Sequence, residues 1–237
     1  MLCETTTSRR QCLAGMGADV LALAGCGGGD STAPVLSADS SGVSTISASA
    51  LAATLATYPV VAPLSTDEVA SLLQMREEEQ LAHDVYAVSA TLYPTLPIFA
   101  NIASAEATHS AAVKTLLDRY SIADPLAGLP NGTFKTSALQ ILYDALVASS
   151  RVSLIQALQV GLQIEELDIR DLDLAKANPY IDNADILMVY DNLQRASRNH
   201  LRAFWKVLQA QGGTYTPQSL TQAVFDAIVN SPIETGR

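Results

Sequence analysis

The chain has 237 residues, 49% of them hydrophobic and 16% charged, enough apolar material to fill a core and too much for wholesale disorder. Fourteen Lys and Arg against 24 Asp and Glu give a net charge of −10, which excludes a basic nucleic-acid footprint. The three cysteines, Cys3, Cys12 and Cys26, all precede Gly27, so no disulfide framework holds the rest. No apolar run approaches the ~18 residues that a transmembrane helix needs.

Residues 1–25 follow the order of a signal peptide: Arg9-Arg10, then an apolar stretch of small residues from Cys12 to Gly25. The string Leu23-Ala24-Gly25-Cys26 resembles a bacterial lipobox. That resemblance implies cleavage before Cys26, lipidation of its thiol, and a lipid-anchored lipoprotein on the periplasmic face of the envelope. Arg9-Arg10 resembles a twin-arginine export signal and fits a general charged start equally well. Asp19 departs from the apolar pattern. Residues 26–63, rich in Ser, Ala, Thr and Gly, read as a flexible tether, with at most a helical turn or two at 50–56.

From residue 64 to 237 the pattern is helical, and the expected fold class is all-α. Ser65-Thr66-Asp67-Glu68 is a capping box that opens a helix running to about Thr91, before Tyr93-Pro94. A second helix starts at Pro97 and reaches about Tyr120. Residues 121–136, with Pro125, Gly128, Pro130, Asn131 and Gly132, form a loop, followed by a short helix over 137–149. The third long helix lies between Ser153 and Asn178-Pro179. The fourth runs from near Asn183 to Gly212-Gly213, where glycine suits a left-handed cap. A last short helix covers 220–230. Four long helices with short connections predict a four-helix bundle.

Each long helix carries an apolar stripe that is interrupted near its middle. The first reads Leu72, Met75, Glu79, Ala82, Tyr86; the second Phe99, Ile102, Glu106, His109, Val113, Leu116. The third reads Leu158, Leu162, Glu165, Ile169, Leu172; the fourth Tyr190, Leu193, Ser197, His200, Phe204. Buried carboxylates and imidazoles without partners are costly. No Lys or Arg shares these stripes, so a bound cation is the simplest compensation. Carboxylate oxygen and imidazole nitrogen suit iron, manganese or zinc. Glu106 and His109 are three residues apart on one helix face and can reach one ion or adjacent ions.

Glu79 within REEEQLAHDVY, Glu106-x-x-His109, Glu165 within IEELDIRDLD and His200 within SRNHLRAF resemble, in that order, the ferritin-like superfamily of di-iron and di-manganese carboxylate bundles. With GGTYTPQ and IVNSP, the same strings resemble a bacterial ferritin-like family of unknown function. The resemblance implies two ions, with Glu106 and Glu165 bridging and His109 and His200 capping one each. A full fourth-helix motif would have Glu where this chain has Ser197. That leaves either an open position, as the likeness to manganese catalases implies, or a carboxylate from elsewhere. Asp168, one turn after Glu165 on the same face, is the candidate sixth ligand. Glu78 and Glu166 neighbour the ligands but point about 100° away, which makes them outer residues, as are Ser197, Tyr86 and Tyr190. The two tyrosines also read as core aromatics. Arg195, Arg198 and Arg202 are either solvated or paired with Glu78, Asp168 or Glu166.

Three functions remain open from the sequence: redox chemistry with O2 or peroxide or ferrous-ion oxidation, metal holding without turnover, and a metal-free structural role. The expected partners are metal ions, O2 or peroxide, and the membrane through Cys26; nucleic acid is not among them.

Overall fold

The computed structural model describes residues 33–236. Of these, 64% are helical and 3% lie in strands, so the chain is all-α with one small hairpin. The elements are β1 (Leu36–Ala38), β2 (Ser44–Ile46), α1 (Ala48–Leu55), α2 (Thr66–Leu92), α3 (Ile98–Arg119), α4 (Ser137–Ser150), α5 (Leu154–Ala177), α6 (Ala184–Ala210) and α7 (Gln222–Val229). The signal peptide and Cys26 lie outside the described residues.

The expected starts and stops are where local chemistry puts them. Ser65 Oγ accepts from the Glu68 N–H at 3.0 Å, and the Ser65 N–H donates to Glu68 Oε2 at 2.8 Å. Glu68 Oε1 accepts from the Asn183 N–H at 3.1 Å, so one buried carboxylate ties the start of α2 to that of α6. Glu77 works the same way: its Oε1 accepts from the Lys135 and Thr136 N–H groups at 2.7 and 3.0 Å and positions the start of α4. Gly212, with φ of +73°, turns the chain after α6.

α2 packs along α3 and α5 along α6, and α2 meets α5 and α3 meets α6 over smaller areas. The core divides into two apolar clusters. One contains Ala82, Tyr86, Phe99, Ile102, Leu158, Leu162 and Phe204; the other contains Leu72, Met75, Val113, Leu116, Leu172 and Leu193. The interrupted stripes place one polar layer between them.

The expectation of a flexible tether through residue 63 is corrected for residues 33–55. β1 and β2 pair antiparallel, with Leu36 opposite Ile46, and both side chains are buried together with Val35, Leu51 and Leu55. Asp39 Oδ1 accepts from the Ser41 and Val43 N–H groups and shapes the turn. Gly42 follows with φ of +93°; a Cβ there would lie 2.8 Å from the Asn199 carbonyl oxygen, so the hairpin rests directly on α6. Three-residue strands of small residues have too little periodicity to register against a Ser/Ala-rich background.

Candidate metal centre

All six expected ligands are buried: Glu79 on α2, Glu106 and His109 on α3, Glu165 and Asp168 on α5, and His200 on α6. Glu106, His109 and His200 form the tightest group, each with a ligand atom within 4.8 Å of the others'. Glu106 divides its carboxylate between the two rings. Oε2 lies 2.8 Å from His109 Nδ1 and Oε1 lies 2.7 Å from His200 Nδ1. The remaining two carboxylates extend this symmetry. Glu79 Oε2 is 3.5 Å from His109 Nδ1, and Glu165 Oε1 is 3.6 Å from His200 Nδ1. Two half-sites result, Glu79–His109 and Glu165–His200, joined through Glu106.

The outer nitrogens of both rings meet the backbone of one residue, Ser44. His109 Nε2 donates to the Ser44 carbonyl oxygen at 2.7 Å, and the Ser44 N–H donates to His200 Nε2 at 3.1 Å. Ser44 is itself fixed: the Asn199 amide donates to its Oγ at 2.8 Å, and the Ile46 N–H two residues on donates to Thr108 Oγ1 at 2.9 Å. The hairpin thus closes the α3/α6 side of the centre.

The partners assign the protons. His109 faces an acceptor at each nitrogen, a geometry that suits an imidazolium; burial opposes that charge, but Glu106 and Glu79 raise the ring well above the ordinary histidine value. Burial likewise opposes a charge on His200, and Glu106 and Glu165 outweigh it and raise this ring to about 9; against that pull stands the Ser44 N–H, which already points at its Nε2. A second proton on its Nε2 would face the Ser44 N–H, so the geometry accommodates the neutral Nδ1–H tautomer. Burial works against ionised Glu106, yet the two imidazoles outweigh it and hold this carboxyl below the usual range. Glu79 and Glu165 are each pushed up to about 7, by burial first and then by the neighbouring Glu106 charge. Burial and the surrounding carboxylates raise Asp168 well above its ordinary value. Without metal, protons balance the charges.

Two buried oxygens here have no hydrogen-bond partner, Glu165 Oε2 within the layer and Asp168 Oδ2 one helical turn beyond it. The other Glu165 oxygen accepts from the Tyr86 hydroxyl at 2.7 Å. Other expected outer residues are corrected. The Tyr190 hydroxyl bonds Ser71 at 2.8 Å, almost three turns before His200 on α6 and away from the centre. Ser197 Oγ donates to its own helix, to the Leu193 carbonyl at 3.1 Å. Glu166 faces the opposite way and accepts from the Gln218 and Ser219 N–H groups at 2.8 and 2.7 Å, anchoring the segment before α7. Arg198 and Arg202 pair with Glu234, not with Glu78, Asp168 or Glu166. Glu78 lines a cavity with Asp168. Ser44 was missed altogether, since a backbone contact 65 and 156 residues away in sequence leaves no residue-type signal.

Residues 68–232 match the family described as an uncharacterized protein domain (DUF2202). An uncharacterized protein of Methanocaldococcus jannaschii, MJ0754, is 45% identical over 176 residues, covering 73% of this chain and 92% of the relative. The crystal structure of the hypothetical protein MJ0754 from Methanococcus jannaschii superposes with a TM-score of 0.71 and 41% identity, across 75% of this chain and all of that one. The hairpin that carries Ser44 precedes the matched span. With 165 residues matched from 68 to 232, the chain belongs to the DUF2202 family.

Proposed function

We propose that α2, α3, α5 and α6 form a ferritin-like four-helix bundle and that its polar layer binds two iron or manganese ions, or zinc. The observation that carries this reading is the paired half-site: one carboxylate, Glu106, shared between two imidazoles, each backed by a further carboxylate. Glu79 and His109 would hold one ion, Glu165 and His200 the other, with Glu106 between them. The unpartnered Glu165 Oε2 is an electron-pair donor with nothing to meet, which a cation would remedy. The donor set of carboxylate and imidazole, without thiolate, fits iron, manganese or zinc.

Iron or manganese held there supplies redox chemistry toward O2 or peroxide, or oxidation of ferrous ion. Around it, this chain's residues hold the ligands and exclude water. Tyr86 fixes Glu165, and the Ser44 backbone fixes both rings. Ser197, too short to coordinate from the place of a fourth-helix Glu, leaves a position for a small reactant. Metal holding without turnover is the second reading, favoured by the hairpin's closure over both imidazoles. A metal-free structural role has the neutralising Glu106–His109 pair in its favour, but leaves the orphaned Glu165 oxygen unexplained.

The location proposed with it is the periplasmic face of a bacterial envelope, anchored by lipidated Cys26. Elemental analysis of purified protein tests metal binding, and turnover with O2 or peroxide separates redox chemistry from holding. A metal-free protein after reconstitution with Fe(II) and with Mn(II) would contradict the proposal.

A further inference from the structure

The centre is covered unequally. Ser44 and the hairpin close its α3/α6 side, whereas a cavity of about 210 Å³ opens between α2, α4 and α5. Gln74, Glu78, Asp168, Asp171 and the Arg170 that pairs with Asp171 form its polar lining, and Leu139 and Leu142 of α4 contribute apolar wall. A neighbouring cavity of about 280 Å³ shares Gln74 and Asp171 and extends along α2 and α5 to Asp67. Together they make an acid-lined groove between the two helices that carry Glu79 and Glu165.

Two carboxylates in this groove have an oxygen with no partner. Asp168 is only 4% exposed, and its Oδ2 lacks any hydrogen bond. Glu78 Oε1 accepts from the Gln74 amide at 2.8 Å, and its Oε2 is buried without a partner. Asp171 differs: Arg170 grips both of its oxygens, at 2.8 and 2.9 Å, so its charge is already answered. Glu78 directly precedes Glu79, and Asp168 stands one helical turn after Glu165. The pair therefore sits just outside the buried layer, on the same two helices.

We propose that Glu78 and Asp168 form a divalent-cation uptake site, through which ions pass from the α2/α5 groove into the centre. The proposal rests on the metal-binding reading above. Oxygen donors alone suit a hydrated, hard divalent ion. Two carboxylates without imidazole hold it less firmly than the inner set, which lets it move on. Asp168 then serves the approach to the centre and not its sixth coordination position. Acidic clefts raise the local concentration and arrival rate of cations, and removing their charges slows arrival.

The test loads the full-length, metal-free chain with Co(II) alone. Stopped-flow absorbance follows the rate, and elemental analysis counts ions at equilibrium. The paired variant Glu78→Gln/Asp168→Asn should bind as many ions as wild type but load about tenfold more slowly. An unchanged rate would overturn the uptake site. So would loss of metal at equilibrium in Asp168→Asn alone, which would make Asp168 a ligand. Glu78→Gln alone carries the rate measurement if the paired variant does not fold. A Glu106→Ala arm separates the two readings. If it loses Co(II) while the paired variant loads like wild type, the centre stands and the uptake site falls. If wild type itself binds no Co(II), the metal reading falls and the uptake site with it.

Discussion

His109 and His200 stack with ring centroids 5.4 Å apart and 16° between their planes, which lets two helices present Nδ1 atoms to the same carboxylate. Behind the rings, the Ser44 backbone gives a carbonyl to one and an N–H to the other. The two histidines are therefore inequivalent.

Long-range 1H–15N spectra of the metal-free protein should show His109 protonated at both nitrogens and His200 at Nδ1 only. A ligand on His200 Nδ1 would move that proton to Nε2, against the Ser44 N–H. Hydrogen exchange at Ser44 should then accelerate when metal binds, the reverse of general protection. Slower exchange there, or a His200 carrying its proton on Nε2, would contradict the assignment.

The pH dependence has a definite sign. Glu79 and Glu165 rise from 4.5 to about 7 on folding, so the folded state holds more protons than the unfolded state between those values. Metal-free stability should therefore fall as pH rises from about 5 to 7, by roughly 1 kcal/mol per pH unit for each carboxyl still protonated. His109, also raised, adds stability that is full below 6.5 and is lost as pH climbs through its higher folded value. Bound cations need the carboxylates ionised, so the loaded protein should gain over the metal-free one as pH rises. Calorimetric Tm values across this range check both slopes. A metal-free Tm that increases from pH 5 to 7 would contradict the proton balance.

The two adjacent acids of α5 separate structure from site. Glu166→Gln weakens the charged acceptor of the Gln218 and Ser219 amides and should cost on the order of 2 kcal/mol, with bound metal unchanged. Glu165→Gln removes a carboxylate that burial disfavours, so the metal-free Tm at pH 8 should rise while metal binding falls. Urea unfolding and elemental analysis of the pair decide. The reverse pattern would exchange their roles.

The helical part of the fold was legible because capping chemistry and stripe period act locally. Ser65, Ser153 and Gly212 each do their work within a few residues of themselves. The polar layer was legible because Glu79, Glu106, His109, Glu165 and His200 each replace an apolar residue in a stripe. A stripe reports the face of a helix but not which layer its residues reach. Tyr190 shares the face of His200 and lies too far along α6, whereas Tyr86 is long enough to reach Glu165 across the core. Glu77 and Glu166 were beyond reach for another reason: their partners are backbone amides of distant loops. The hairpin was lost in composition, because Ser44 offers the histidines its backbone N–H and carbonyl and not its side chain.

Gly161 sits one turn before Glu165, where α5 passes α6. A Cβ there would lie 2.7 Å from the Phe204 ring, which packs on Tyr86 at 5.1 Å between centroids. Gly161→Ala should cost about 1–3 kcal/mol through overpacking, despite the better helix propensity of alanine. Denaturant unfolding reads this directly, and a stabilised variant would mean that α5 and α6 have room to separate.

The most direct measurement is the metal content of the full-length chain after reconstitution with Fe(II) or Mn(II), set beside Glu106→Ala and His109→Ala. Glu106 is shared by both half-sites and His109 belongs to one. The account predicts about two ions per wild-type chain, near-complete loss in Glu106→Ala, and loss of one half-site in His109→Ala, with a wild-type Tm that chelator lowers. Equal metal content in all three proteins, or none in wild type, would contradict it.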